Sequence, residues 1–337
     1  MTVIVTGGAG YIGAHIVRLL GARGDDVVVV DDLSAGRAER IGGTRLEVAD
    51  LAADGVVDRL AALFLEVGAR AVIHLAARKR VDESITRPTW YYRQNVGGLA
   101  HVLEAMERAD VPSLVFSSSA AVYGAPSSAL VTEASPTTPM NPYGETKLAG
   151  EWLVRDAARA WGLACLSLRY FNVAGAGWDD LHDPAAQNLV PLVLQRIRAG
   201  LPPLVFGSDH PTPDGTCVRD YVHVLDLAHA HIAALDHVGP AASAAEPAGT
   251  HADADGSPAD QALNVGTGVG SSVLEVLDAF ARATGAPVVP ELLGRRAGDP
   301  PQVVASVDRA AAVLGWRAER DLAEIVRSSV RAELAAR

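Results

Sequence analysis

The chain opens on Val3-Ile-Val-Thr-Gly7, an apolar run in which branched residues are consecutive and do not alternate with polar ones. That pattern belongs to a strand covered on both faces, so it predicts a buried parallel strand. A glycine turn follows, and Ala14 to Arg23 then places Ile16, Leu19 and Leu20 on one side of a helix. Further strands are predicted at Val27 to Asp32, Leu46 to Asp50, Ala71 to Ala76, Ser113 to Phe116 and Ala164 to Arg169. A long helix is predicted over Trp90 to Arg108, and another opens at Tyr143 with Ala- and Leu-rich spacing. Strands alternating with helices predict an α/β fold, a doubly wound parallel sheet of Rossmann type. After Tyr170 the alternation stops. Residues 175–215 are loop-rich and carry Pro184, Pro191, Pro202, Pro203, Pro211 and Pro213, a shift that predicts a smaller C-terminal α/β lobe. The expected division is 1–174 as the first domain, with segments near 220–238 and 262–268 packing back on it. Residues 175–219 and 269–337 then form the second lobe. The Ala-, Pro- and Asp-rich stretch 239–261 is expected to be a flexible surface loop.

Composition narrows the classes. A chain of 337 residues is long enough for a large core. A net charge of −11 argues against a nucleic-acid partner, but not against a small anion held by local arginines. The two cysteines, Cys165 and Cys217, are far apart and in no CxxC pattern, which predicts a reduced, cytoplasmic setting. The chain begins on a strand and not on a charged, apolar leader, and no apolar run reaches the length of a membrane span. No membrane association is expected.

The candidate chemistry lies where the predicted strands end. Gly7-Gly-Ala-Gly10-Tyr-Ile-Gly13 joins the first strand to the first helix, an arrangement that sets a pyrophosphate on a helix N-terminus. Gly7 permits the tight turn, Gly10 the close approach of backbone to phosphate, and Gly13 the packing of helix on strand. Asp31, about twenty residues on, can accept from both ribose hydroxyls of an adenosine and would repel a 2′-phosphate, which favours NAD over NADP. Asp50 ends the third strand, placed to reach an adenine edge. Leu75 and Ala76 end the fourth, which runs into Ala77, whose small side chain suits a surface against a cofactor. Lys79 reads either as a phosphate contact or as a solvated loop lysine, and His74 as a core histidine. Asn95 lies on one face of the long helix. The fifth strand ends in Ser117, Ser118 and Ser119. Tyr143 and Lys147, four apart, project from one helix face, and an ammonium near a phenol lowers its pKa. All these groups fall at the carboxyl ends of strands, where open α/β sheets bind ligands. In the second lobe Asn188, Phe206 and Arg219 are of ligand-binding type. Arg295 and Arg296 read as a solvated edge or, with Arg219, as a bidentate clamp on a diphosphate. His223, His229, His231 and His237 match no metal-ligand pattern, and no metal site is read.

Taken together, TGGAGYIG, SSSAAVYG, YGETK, RYFNVAG, DGTCVRDYVHV and RRAGDP closely resemble the UDP-glucose 4-epimerase family of extended short-chain dehydrogenases, in order from Thr2 to about Trp316. The resemblance implies catalytic roles for Ser119, Tyr143 and Lys147. It implies NAD contacts at Tyr11, Ile12, Asp31, Asp32, Asp50, Leu51, Ala77, Lys79, Asn95 and Phe171, with Leu75, Ala76 and Ser117 on the same surface. UDP-sugar contacts are implied at Asn172, Asn188, Phe206, Arg219, Arg296 and Asp299, with Leu189, Leu204 and Val205 beside them. It implies reversible oxidation at C4 of a UDP-hexose, as in galactose metabolism, with NAD retained, and a homodimer. Two features depart from the family. The 239–261 stretch is longer than usual, and Val303 stands where the family varies a gate residue between Tyr and smaller ones, which leaves acceptance of an N-acetyl group open. A 4,6-dehydratase is disfavoured because Ser118, Ser119 and Ala120 stand where its acidic pair belongs. A UDP-uronic acid epimerase or decarboxylase stays open. An NAD-sensing scaffold without catalysis is opposed by the presence of both Tyr143 and Lys147.

Overall fold

The computed structural model describes residues 1–185, 188–239, 262–296 and 298–335. The chain runs β1 (Thr2–Thr6), α1 (Tyr11–Arg23), β2 (Asp26–Asp31), β3 (Arg45–Val48), α2 (Val56–Val67), β4 (Ala71–His74), α3 (Val81–Thr86), α4 (Pro88–Tyr91), α5 (Gly98–Arg108) and β5 (Ser113–Ser119). Next come β6 (Leu130–Val131), α6 (Pro142–Trp161), β7 (Ala164–Tyr170), β8 (Asn172–Ala174), α7 (Leu189–Arg198), β9 (Leu204–Phe206), β10 (Val218–His223) and α8 (Val224–Val238). It closes with β11 (Ala262–Val265), β12 (Gly270–Ser272), α9 (Val273–Thr284), β13 (Glu291–Leu293), β14 (Gln302–Ala305), α10 (Asp308–Leu314) and α11 (Leu322–Ala335).

Two compact units interleave along the chain. The first is Met1–Gly124, Pro139–Arg169 and Ala228–Leu263; the second is Ala125–Thr138, Tyr170–Leu227 and Asn264–Arg337. Residues 125–138, 170–174, 220–227 and 264–268 therefore group with the second unit, where the sequence had suggested the first. Residues 240–261, expected as a flexible loop, lie outside the described residues.

In the first unit the sheet order is β11-β7-β5-β4-β1-β2-β3. Strand β1 pairs in parallel with both β2 and β4, so the winding reverses between β1 and β4. Open sheets of this kind bind ligands at that reversal. Val3, Ile4 and Val5 are fully buried, which accounts for the unbroken apolar run. The core joins Ile4, Val72 and Leu114 of the sheet to Leu60 and Phe64 of α2 and to Leu99, Val102 and Met106 of α5. The expected helix from Trp90 to Arg108 is not uniform. Tyr92–Gly97 form a π-helical turn between α4 and α5, which re-aims Asn95 relative to a regular helix.

In the second unit β10 is central to a five-stranded sheet, parallel to β14 and β8 and antiparallel to β12. Buried Asp220 accepts from the backbone N–H groups of Thr267, Gly268 and Ala305, which ties the 266–268 turn and β14 to β10. The core is Val190 and Val193 of α7, Val276 and Phe280 of α9, and Ile325 and Val326 of α11. No helix among the described residues is long and apolar enough to cross a membrane.

Candidate active site

Helix α6 is launched by its sequence. Asn141 caps it by accepting from the Gly144 N–H, and Pro142 supplies the first helical residue. Tyr143 and Lys147 thus fall in the first turns, on the buried face. Two glycines let that face lie close to its neighbours. A Cβ on Gly150 would sit 2.6 Å from the Phe116 ring of β5, and one on Gly144 would sit 2.7 Å from the Ala121 carbonyl. The close approach brings Tyr143 to Ser119, whose hydroxyl bonds the phenol oxygen, and Lys147 to Ser117, whose carbonyl accepts from Nζ at 2.7 Å. Ser119 also accepts from the Ala121 N–H at 3.1 Å.

Burial governs the titration of both groups. Desolvation raises the Tyr143 pKa, and the Ser119 bond only partly offsets it. Burial pushes Lys147 down to about 8, with Glu151 acting against the fall. The sequence had suggested that Lys147 lowers the Tyr143 pKa. In the structure the ammonium donates to the Ser117 carbonyl, and burial raises the phenol.

The glycine turn meets the end of β4. Gly7 has φ +73°, and a Cβ there would lie 2.7 Å from Ala76 N. A Cβ on Gly13 would collide with Gly7 O at 2.3 Å, so Gly13 clears the turn itself and not the strand. Gly10 carries no such crowding beyond Gly7 O at 3.2 Å and caps α1, whose first helical residues are Tyr11 and Ile12. Asp31 is buried, with Oδ2 accepting from Ala9 N–H at 3.0 Å and Oδ1 from Leu33 N–H at 2.8 Å. Desolvation raises its pKa against these two bonds. Asp32 is engaged by Ser34 and by Arg78, which hold its carboxyl below its ordinary range despite burial. Asp50 is exposed and accepts from Ala52 N–H at 2.9 Å, beside buried Leu51. Leu75 and Ala76 both donate backbone N–H to Thr6 O, which seats the β4 end and Ala77 beside β1. Asn95 accepts from Arg78 N–H at 2.7 Å and donates to Arg78 O and Thr146 Oγ1, both at 3.0 Å. Its amide is thus occupied in tying the Arg78–Lys79 segment to α6.

The second unit carries the remaining candidates. Arg219 donates to Asp299 Oδ1 at 2.6 Å and lies directly across from Val303 in the β10–β14 register. Arg296 stacks over the Phe206 ring at 3.6 Å, whereas Arg295 pairs with Asp209. Phe206 ends β9, after Leu204 and buried Val205. Asn188 precedes α7 and Leu189 opens it. Asn172 starts β8 beside Tyr221 and bonds its hydroxyl. Phe171 is buried and donates to Val265 O at 3.2 Å.

The model of the NAD dependent epimerase/dehydratase family matches residues 3–244. This chain belongs to that family. A UDP-glucose 4-epimerase from Azospirillum brasilense is 42% identical over 97% of this chain and 90% of its own length. Among solved structures, a UDP-glucose 4-epimerase from Stenotrophomonas maltophila with bound NAD and formylated UDP-arabinopyranose superposes with TM-score 0.88, 40% identity and coverage of 100% and 98%. One from Brucella ovis in complex with NAD has TM-score 0.87, 39% identity and coverage of 97% of each chain. The resemblance and the fold class read from the motifs are borne out.

NAD is the cofactor of the family, and the residues present fit it. The turn has no room for a side chain at Gly7 or Gly13, while Asp31 is fixed by two backbone donors and retains lone pairs for ribose hydroxyls. The sequence reading missed Arg78. Its guanidinium bonds Asp32, Ser34 and Gln94 and lies 5.2 Å from the Trp90 ring centre. It also missed Glu151 and Arg169, a buried ion pair behind the Tyr–Lys face. A Glu four residues after Lys147 was the available signal.

Proposed function

We propose that this chain interconverts UDP-glucose and UDP-galactose by transient oxidation at C4 of the hexose. The observation that carries the reading is the Tyr143 phenol, buried between Ser119 and the Lys147 turn at the carboxyl end of β5. NAD, held by the glycine turn and Asp31, would accept the hydride from C4 of the hexose and return it to the 4-keto sugar. Tyr143 takes the 4-hydroxyl proton and later returns it, and Ser119 orients that proton by its bond to the phenol oxygen. Lys147, one turn on, contributes a positive charge to the phenolate, which burial alone disfavours.

The remaining candidates hold the nucleotide. Arg219, oriented by Asp299, and Arg296, stacked on Phe206, are the cations for the UDP. Asn172 and Asn188 supply polar contacts, with Leu189, Leu204 and Val205 forming the apolar wall. A tightly held UDP and a loosely held hexose let the 4-keto sugar present its other face before reduction. Val303, next to Arg219, is the gate residue beside the sugar, and the N-acetylated pair is a secondary substrate.

The chain acts as a homodimer in the cytoplasm. Trp152 on the outer face of α6 is half exposed; Tyr92 bonds Glu145 on that same face, and Val81 and Ile85 lie on α3, which packs on α6. An apolar surface of this kind is covered in a stable dimer. The two buried thiols, Cys165 and Cys217, are in keeping with a reduced compartment. The test is incubation of purified protein, without added cofactor, with UDP-galactose, UDP-N-acetylgalactosamine and UDP-glucuronate. C4 epimers of the first two are expected; a product from UDP-glucuronate alone would reassign the substrate.

A further inference from the structure

Tyr143, Lys147 and Glu151 stand one turn apart on α6, and all three are buried on the face that meets β5. The first two act in the reaction. Glu151 has so far no role, yet its carboxylate is fully engaged. Arg169 of β7 donates Nε to Oε1 at 2.9 Å and Nη2 to Oε2 at 2.7 Å, and the Ser118 hydroxyl donates to Oε1. Arg169 also donates Nη1 to the Tyr123 hydroxyl at 3.0 Å and lies 5.1 Å from that ring centre. Burial works against the charge of Arg169, but the bonds to Glu151 more than offset it and its pKa is raised. An ion pair this deep is weak evidence of stabilisation, because apolar residues of like volume often do as well. Its connections are more telling. Ser118 stands between Ser117, whose carbonyl holds Lys147, and Ser119, which bonds Tyr143.

We propose that Glu151, locked by Arg169, is a positioning residue for the acid–base pair: its carboxylate keeps Lys147 protonated and pins the Ser117–Ser119 strand end. The proposal rests on Tyr143 and Lys147 carrying the proton transfer. The groups around Lys147 leave this role to Glu151. His74 of β4 is neutral, pushed down to about 3 by burial and then by Lys147 itself. His231 of α8 is bonded to the Ser117 hydroxyl at 2.8 Å. Phe116 offers a ring centre 5.2 Å from Nζ. Tyr143 lies one turn before, and Arg169 stands behind Glu151. Of these, Glu151 carries the negative charge.

The experiment is the pH profile of kcat and KM for UDP-galactose in wild-type holoenzyme, the double variant Glu151→Gln/Arg169→Met, and Tyr143→Phe. The double variant removes both charges while the Gln carbonyl still accepts from Ser118. Its alkaline limb is expected to fall, by less than the roughly one pH unit that loss of a lone opposite charge gives because the Arg169 cation goes with it, and KM is expected to change little. An unmoved limb, alongside an inactive Tyr143→Phe, overturns the role of Glu151 and leaves the reaction intact. An active Tyr143→Phe overturns the acid–base assignment itself. Should the double variant not fold, Arg169→Lys decides: it keeps both charges but lacks the planar fork. A lower kcat at unchanged KM and unchanged limb is then expected, and wild-type kcat overturns the proposal.

Discussion

Burial drives Tyr143 and Lys147 toward their uncharged forms, since it raises a phenol and lowers an ammonium. The proposed reactive state is the opposite, a phenolate beside a charged lysine, favoured by the Ser119 hydroxyl at the phenol and by the Glu151 carboxylate at Lys147. His74 next to them shows what burial does without compensation. Its pKa of about 3 lies below the ordinary 6.5, so between these values the unfolded chain binds a proton that the folded chain does not. Stability therefore falls as pH drops through that window. From pH 7 to pH 5 wild type should lose about 2 kcal/mol more than His74→Asn, whose amide can take up the Thr6 bond. Urea unfolding at both pH values checks this; equal losses would refute it. A second prediction concerns Val303. Val is smaller than Tyr, and burying an acetyl methyl beside it gains about 1 kcal/mol. Val303→Tyr should lower the kcat/KM ratio of UDP-N-acetylgalactosamine to UDP-galactose, and an unchanged ratio would show that Val303 is not the gate. Residues whose chemistry follows from type and spacing were legible in the sequence: the glycines, Asp31, Tyr143 and Lys147. Arg78 was not, because its meaning depends on Asp32, Ser34, Gln94 and Trp90, which only the fold assembles.

Helix α6 and strand β5 carry the proposed catalytic groups, and Gly150 lets the two elements approach closely. Gly150→Ala forces its methyl into the Phe116 ring. A stability loss of about 1–3 kcal/mol is expected, with a fall in kcat as Tyr143 and Lys147 are displaced. Gly21→Ala on α1 is the control, since a Cβ there meets nothing within 4 Å and helix propensity favours it by about 1 kcal/mol. Thermal melts and turnover on both variants test this; equal behaviour would contradict it. Strands with unbroken branched runs were legible, as were the helices with regular apolar spacing. The π-helical turn at Tyr92–Gly97 was not, because its side-chain pattern is that of an ordinary helix and only the hydrogen-bond register differs. Strand β6, two residues long, has no pattern of its own and exists by pairing with β14.

At the level of the whole molecule, the parallel strands β1, β2 and β5 end in the glycine turn, in Asp31 and in Ser119, so these groups share the carboxyl end of a single sheet. The interleaving of the two units was only partly legible, because segments such as 125–138 join the second unit through pairings distant in sequence. The exposed Trp152 should lie in the dimer contact. Trp152→Glu is expected to give a monomer by light scattering, and a persistent dimer would remove this face from consideration. The central claim is that Tyr143 drives epimerisation at C4 with NAD retained, and its most direct test is the rate of UDP-glucose formation from UDP-galactose, without added cofactor, in wild type and Tyr143→Phe. Wild type should turn over, and the variant should be slower by at least ~10²-fold, the lower bound typical of a lost general base. A variant within a factor of a few of wild type, or a wild type that turns over only with added NADP, would contradict the account.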